Sequence, residues 1–587
     1  MARKTKDKNQ NTEEKKQDFI KQLRTAYRNL EDPKKFRRTV LFPSILVGVL
    51  LISLPFILDL VIPVSLGMNP VTFLVLGIVP ILLGIFYPYI SWKNNENDIN
   101  SKMHFFITHL RVLAISDLSL KDIMNILGDK PVYGSLGKEL KKIAVLSTQW
   151  RYPMAKTLHF IAERTPSKMF KDFLDRFSQS LDSGVDHREF IEIEQYAVIE
   201  EYKTMYESSN ENIVILNEVY VSMLIAIIFV MSLGIVLPII LGGENMMTFI
   251  YMSSFMLLVS EGLLLYLLKA MVPQDEIWHQ SDEKSDIELH LKKLMYRCGA
   301  TCILIGIMLY LIQTMSLLPF LPDIPYEIMI TLAITPLIVI GVKVFLEEEH
   351  ILRKERNFLG FLPALGSIST MKGGKINESV YYLSRKDYGV LTEYIRNLYR
   401  RLRTRINDTL AWHWFGVDTG SNLIQRSSEM FREATYAAAT PRKVASMIAE
   451  NIRKLRDLRL KKLTIVNTSI SLFAGITFGI AFAIYVSLVI GRHLNQIMIE
   501  TGDPFSELEG INMGQLLFTV PPELYDNSFL LIFVVLIIHC FMLALTVKTL
   551  RGSHTYATLL YFVPFVWIVT VTSVMVQVVI AGMLGGG

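Results

Sequence analysis

The 587 residues are 51% hydrophobic and 20% charged, with a formal net charge of +5. A half-apolar chain with an ordinary share of charge excludes a soluble multidomain enzyme, because the excess apolar surface must face lipid while the charge collects outside the bilayer. Three cysteines, Cys298, Cys302 and Cys540, lie in apolar stretches without a CxxC pair, which excludes a disulfide framework and reads as small apolar filling.

The chain opens with thirteen Lys and Arg in its first 39 residues. No short apolar segment with a small-residue cleavage site accompanies them, so this tail is expected to be retained and to become helical from about Thr12 to Asn29. A hydrocarbon core of about 30 Å takes about 20 apolar residues per helix. Nine runs meet this, at 40–60, 70–91, 219–242, 247–268, 298–316, 325–346, 463–490, 527–547 and 557–583. Pro322 and Pro325 between runs five and six leave a re-entrant bend, and a count of eight, open.

Cationic segments stay on the cytoplasmic side during insertion. With the N-terminus inside, segments 1–39, 92–218, 269–297, 347–462 and 548–556 are cytoplasmic and hold 58 of the 60 basic residues. The loop 491–526 is then external, carrying Glu500, Asp503, Glu507, Glu509, Glu523 and Asp526 with Arg492 as its one basic residue, and nine helices place the C-terminus outside. The expected class is therefore an all-α, multi-pass membrane protein with two cytoplasmic helical-bundle modules, 92–218 and 347–462, each large enough to bury a core.

Both modules read as helical. In the first, Phe170, Phe173, Leu174, Phe177 and Leu181 recur at helical spacing, with Thr165 as the expected N-cap, Pro166 at the first helical position and Ser183-Gly184 as the stop. Thr440-Pro441 opens the helix leading to run seven. The modules also resemble each other, as an internal repeat would. Tyr133-Gly134-Ser135-Leu136 matches Tyr388-Gly389-Val390-Leu391, each followed by an acid, Glu139 or Glu393. Further on, Leu158-His159-Phe160 and Thr165-Pro166-Ser167 match Trp412-His413-Trp414 and Thr419-Gly420-Ser421.

Catalytic constellations are missing. Met371-Lys372-Gly373-Gly374-Lys375-Ile376 lacks the upstream Gly and the hydroxyl of a nucleotide loop, and reads as a turn between helices. There is no HExxH or GxSxG, and His104 and His109, five apart, are poorly placed to share a metal. No enzyme activity, cofactor or metal is expected.

Charge is more informative. Arg396, Arg400, Arg401, Arg403 and Arg405 fall within ten residues mid-module, and Arg453, Lys454, Arg456, Arg459, Lys461 and Lys462 lead into run seven. The second cluster reads first as an anchor on anionic lipid; both are candidates for docking an acidic soluble partner. Nucleic acid is excluded as partner, because aromatic interleaving is absent and the modules are tethered to a membrane. Glu261 interrupts run four, where an ionisable group costs about 3 kcal/mol unless it is neutral, paired or facing a wet cavity, so it is expected to face protein. A transporter or channel would explain Glu261 but not two modules of over a hundred residues.

The layout resembles the type II secretion F family, the membrane platform proteins of type IV pili, Tad pili and the archaellum. Tyr133-Gly134, the stretch Thr165-Pro166-Ser167-Lys168-Met169-Phe170-Lys171-Asp172-Phe173-Leu174-Asp175-Arg176-Phe177 and Ser183-Gly184 carry the likeness, most closely to its archaellum branch. The resemblance implies a non-enzymatic platform in the cell membrane that binds a hexameric secretion or motor ATPase on its cytoplasmic face and passes pilin-like or archaellin subunits into a filament. It implies a homodimer coaxial with a six-fold motor. Archaellum and adhesive pilus both stay open.

Overall fold

The computed structural model describes residues 23–28, 32–61, 70–241, 246–273, 275–279, 283–314, 325–404, 407–500 and 522–584. Among these, all regular elements are helical, and the bridge between Trp278 and Ser421 is isolated. Of the helix expected over Thr12–Asn29, residues 23–28 are helical and the rest lies outside the described residues, as do Pro322, Asp503, Glu507 and Glu509.

Two helices, α1 (Phe42–Val61) and α2 (Pro70–Ala114), carry the first two apolar runs. Seven helical stretches among the described residues are long and apolar enough to cross a membrane: His187–Val236, Met246–Met271, Asp286–Thr314, Tyr326–Met371, Pro441–Ile497, Asn527–Arg551 and Thr555–Ile580. They overlap runs three to nine, so among the described residues seven such helices are found and the expected count of nine is not confirmed. The chain is a multi-pass membrane protein.

The chain divides into two compact units, residues 1–103 with 124–190, and residues 104–123 with 191–587. The first unit holds the second half of α3 (Leu120–Gly128), then α4 (Gly134–Thr148), α5 (Met154–Ala162) and α6 (Lys168–Asp182). Its core is aromatic: Tyr133, Phe170, Phe173 and Phe177 are almost fully buried, and Phe177 stacks on Phe190 at 4.9 Å between ring centres. Each such ring contributes about 1.5–3 kcal/mol by leaving water. The cap of α6 is Ser167, not Thr165: the Ser167 hydroxyl accepts from the Phe170 N–H at 3.0 Å and donates to Asn100 at 2.5 Å. Pro166 precedes the cap instead of opening the helix. Gly134 takes φ +50°, and a Cβ there would lie 2.8 Å from the Asp98 carboxylate that accepts from the Ser135 N–H. Burial raises the Asp98 carboxyl, but Lys102 and the Ser135 N–H outweigh it and hold it below its ordinary range.

In the second unit α7 (His187–Leu241), α8 (Met246–Met271), α9 (Asp286–Thr314), the nine-residue α10 (Tyr326–Ile334) and α11 (Ile338–Met371) precede a set of short helices. These are α12 (Ile376–Leu383), α13 (Thr392–Arg403), α14 (Asp408–Thr419) and α15 (Asn422–Tyr436). Then come α16 (Pro441–Glu500), α17 (Pro522–Arg551) and α18 (Thr558–Leu584). Leu224, Ile235, Ile250, Phe473, Leu536 and Val566 belong to one apolar cluster joining α7, α8, α16, α17 and α18. The turn between α11 and α12 is the Gly373-Gly374 pair at φ +65° and +86°, with the Gly374 N–H donating to Ser369 O at 2.8 Å. Only glycine takes two such angles in succession without strain.

Candidate functional site

The charged chemistry of the second unit gathers where α11 and α16 meet the short helices. The buried seam of α11 runs Ile340, Val344, Glu348, Ile351, Glu355, Phe358, Leu362 and Leu365, in steps of four or three. Two carboxylates therefore occupy positions where apolar residues belong, and each must find partners or cost several kcal/mol.

Glu355 accepts from Arg459 Nη1 of α16 at 3.1 Å and from the Ser421 hydroxyl at 2.6 Å, while that hydroxyl also caps α15 through the Ile424 N–H. Arg459 forks onto Asp275, in the segment between α8 and α9. Burial raises the Asp275 carboxyl, yet the charge and hydrogen bonds of Arg459 prevail and keep it below the usual range. Lys462 Nζ reaches Pro273 O at 3.4 Å. Glu348 accepts from Trp278 Nε1 at 3.1 Å, from the Ser553 hydroxyl at 2.9 Å and from the His554 N–H at 2.8 Å.

Segment 275–279 is thereby threaded through the unit. Ile277 N–H donates to Gly552 O, His279 N–H to Gly420 O, and Asn422 N–H to Ile277 O. Lys354, fully buried, donates to Thr419 O at 3.0 Å. His413 sits 2.8 Å from Glu283. Within the segment 269–297, residues 275–279 thus form a wedge joining α11, the α14–α15 turn and the α17–α18 turn.

The arginines on α13 separate by exposure. Ile395, Leu398 and Leu402 face inward, whereas Arg396, Arg400 and Arg403 are exposed. Arg401 is bound to Asp418 at 2.6 Å, and Arg405 lies outside the described residues. On α16, Lys454 pairs with Glu450 at 3.4 Å and Arg456 is half-buried. Arg459 is 8% exposed and engaged internally, so its guanidinium is not offered to a docking partner. The positive charge was legible in the sequence; its division into an outer face and an inner lock was not.

Glu261 of α8 is 2% exposed and meets His539 of α17, with the Tyr220 hydroxyl at 3.4 Å. It faces protein, as its cost in lipid requires. His539, a titratable residue in run eight, was the signal that could have named its partner. Among the described residues, no group of three or more His, Cys, Asp or Glu is placed to hold a metal ion.

Against known proteins, the family model for type II secretion system protein F matches residues 106–235, which end inside α7. Flagella accessory protein J of Methanocaldococcus jannaschii is 31% identical over 558 residues, 94% of this chain and 96% of that protein. The chain belongs to the type II secretion F and flagella accessory protein J family. The flagella accessory protein J of Methanococcus voltae is 32% identical over 556 residues, covering 94% and 97% of the two chains. No solved structure matches significantly. Family membership makes the chain a structural membrane platform protein of the type IV pilus-like class, and in this platform the sites worth testing are the α13 arginine face, the Arg459 lock and the Glu261–His539 contact.

Proposed function

We propose that this chain is the platform of an archaellum. In this reading it sits in the cell membrane with its N-terminus in the cytoplasm and its C-terminus outside, works as a homodimer, docks a hexameric motor ATPase through the module at 347–462, and passes archaellin-like subunits into the filament. The observation that carries the docking claim is the outer face of α13, where Arg396, Arg400 and Arg403 are exposed on a helix whose other face is fixed by Ile395, Leu398 and Leu402. A rigid helix with a cationic outer face suits recognition of an acidic surface, steering its approach and fixing register. The Arg459–Asp275–Glu355 network ties α11 and the α14–α15 turn of the same module to α16, which continues into the membrane. A load on α13 then reaches the bilayer through buried contacts. Lys454 and Arg456 add to the basic cluster on α16, whose lipid-side end is Lys461 and Lys462 next to run seven.

The test is binding of the purified full-length protein to the secretion ATPase of the same organism, with ATP turnover recorded with and without the platform. Salt-sensitive binding that alters turnover, weakened at least about tenfold at low salt by Arg396→Glu, Arg400→Glu and Arg403→Glu together, is the expected result. Unchanged affinity of the triple variant would remove this face from the mechanism.

A further inference from the structure

Unit one contains a groove of about 890 Å³ that begins at Ser91 and Trp92, where the apolar run 70–91 ends. Trp150 and Phe160 line it with Trp92, and they are 74% and 41% exposed. Lys138, Lys142 and Arg164 surround these rings. One acid, Glu139, lines the groove and accepts from Lys142 at 2.8 Å. The Arg164 guanidinium lies 3.7 Å over the Phe160 ring and donates one N–H to Phe160 O, which holds its plane in place beside the groove. Tyr152, 50% exposed, follows Trp150 on the same turn, where Arg151 adopts φ +51°.

Large exposed aromatic rings cost free energy in water, and their usual place in a membrane protein is the interfacial belt at the end of a spanning helix. Cations beside that belt attract anionic headgroups, each favouring them about fivefold. A phosphate diester presents to Lys138, Lys142 and Arg164 the acceptors their N–H groups can use, while its glycerol and first methylenes fit against Trp92 and Trp150. An acidic peptide would satisfy the cations but has no reason to sit at the mouth of an apolar run. We propose that this groove seats the headgroup of an anionic phospholipid from the leaflet at the 91 end of run 70–91, fixing unit one to the bilayer surface. The inference rests on that run reaching the membrane, as the platform reading requires.

The experiment uses the full-length protein, delipidated in detergent and titrated with phosphatidylglycerol or with phosphatidylcholine of the same chains, the retained lipid being counted by native mass spectrometry. The wild type retains one more phosphatidylglycerol than the Lys138→Glu/Lys142→Glu/Arg164→Glu variant, with a preference over phosphatidylcholine of at least about tenfold. Trp150→Ala weakens retention of that lipid while leaving the preference intact. Because charge reversal can disturb folding, Lys138→Gln/Lys142→Gln is run beside it with helicity checked. A folded neutral variant that keeps the wild-type lipid count, or equal retention of both lipids, overturns the proposal. A spin label at Ile85→Cys, with the native cysteines replaced by alanine, reports bilayer depth in liposomes independently of the groove. A water-exposed label there would sink the membrane reading of the run, and with it the groove's occupant.

Discussion

Arg459 and Asp275, 184 residues apart in the chain, meet through two guanidinium nitrogens and both carboxylate oxygens with about a tenth of either side chain exposed. Forked contacts of this kind fix direction as well as distance. Removing one member leaves a buried charge: Asp275→Ala is expected to cost about 3 kcal/mol, at the low end for a buried pair because Glu355 still engages Arg459. The double variant Asp275→Ala/Arg459→Met should recover part of that loss. Thermal unfolding of the detergent-solubilised protein checks both, and a double variant no more stable than Asp275→Ala would show that the pair is not the fastening.

Glu348 holds three donors from two separate segments, so Glu348→Gln, which keeps the shape and removes the charge, is expected to cost about 2 kcal/mol. In a background that keeps Trp278 as its one tryptophan, it should also move the fluorescence to the red as the neutral amide accepts more weakly than the carboxylate and the wedge loosens. An unaltered Trp278 spectrum with an unaltered melting point would remove Glu348 as the anchor of segment 275–279.

Two histidines bend the pH dependence in opposite directions. The hydrogen bond to Glu429, opposed by burial and aided by Glu283, lifts His413 above its ordinary value. Its contribution is therefore complete below about pH 6.5 and is lost as pH rises through the raised value. Burial, with Lys548 and Lys284 nearby, lowers His554 to about 4. Its contribution is present above about pH 6.5 and falls away as pH drops towards that value. Melting temperature followed from pH 4 to 9 should show His554→Gln flattening the acid limb and His413→Gln flattening the alkaline one. If each variant merely shifts the whole curve, the assignments fail.

Much of this was readable in the sequence. The apolar runs located the helices, because a bilayer enforces length and composition more strictly than a soluble core does. The Phe170–Phe177 stripe located α6, and Gly373-Gly374 its kind of turn. The cap moved from Thr165 to Ser167 because either hydroxyl satisfies the same pattern, and the contact with Asn100, 67 positions away, settles the choice. The Arg459 lock was out of reach for a similar reason. An arginine in a basic run leading into a membrane helix reads as surface anchoring, and its partners Asp275 and Glu355 lie far off in sequence. One signal was present: Glu348 and Glu355 interrupt a seam of four- and three-residue steps, where a carboxylate implies a buried partner.

Within the membrane, Glu261→Ala strands the His539 ring among apolar neighbours and is expected to cost about 1–2 kcal/mol. Glu261→Ala/His539→Leu should be closer to wild type than the single variant. Unfolding in mixed micelles with sodium dodecyl sulfate measures the difference, and equal losses in both would mean the two residues are not coupled.

The helix α16 runs for 60 residues, about 90 Å, and has no proline after Pro441. Kinks in helices nearly always need a proline, a small-residue pair or an inserted turn, and in α16 the small residues gather at Ala474-Gly475 and Gly479, where a Cβ on either glycine would meet nothing within 4 Å. Bending of α16 is therefore concentrated at that stretch, and the lengths on either side of it, Pro441 to Phe473 and Ile480 to Glu500, behave as two stiffer rods. A displacement entering at the Pro441 end would thus be free to change direction at Gly475–Gly479 before reaching the Glu500 end, so the helix acts as a jointed lever and not as a single rigid strut.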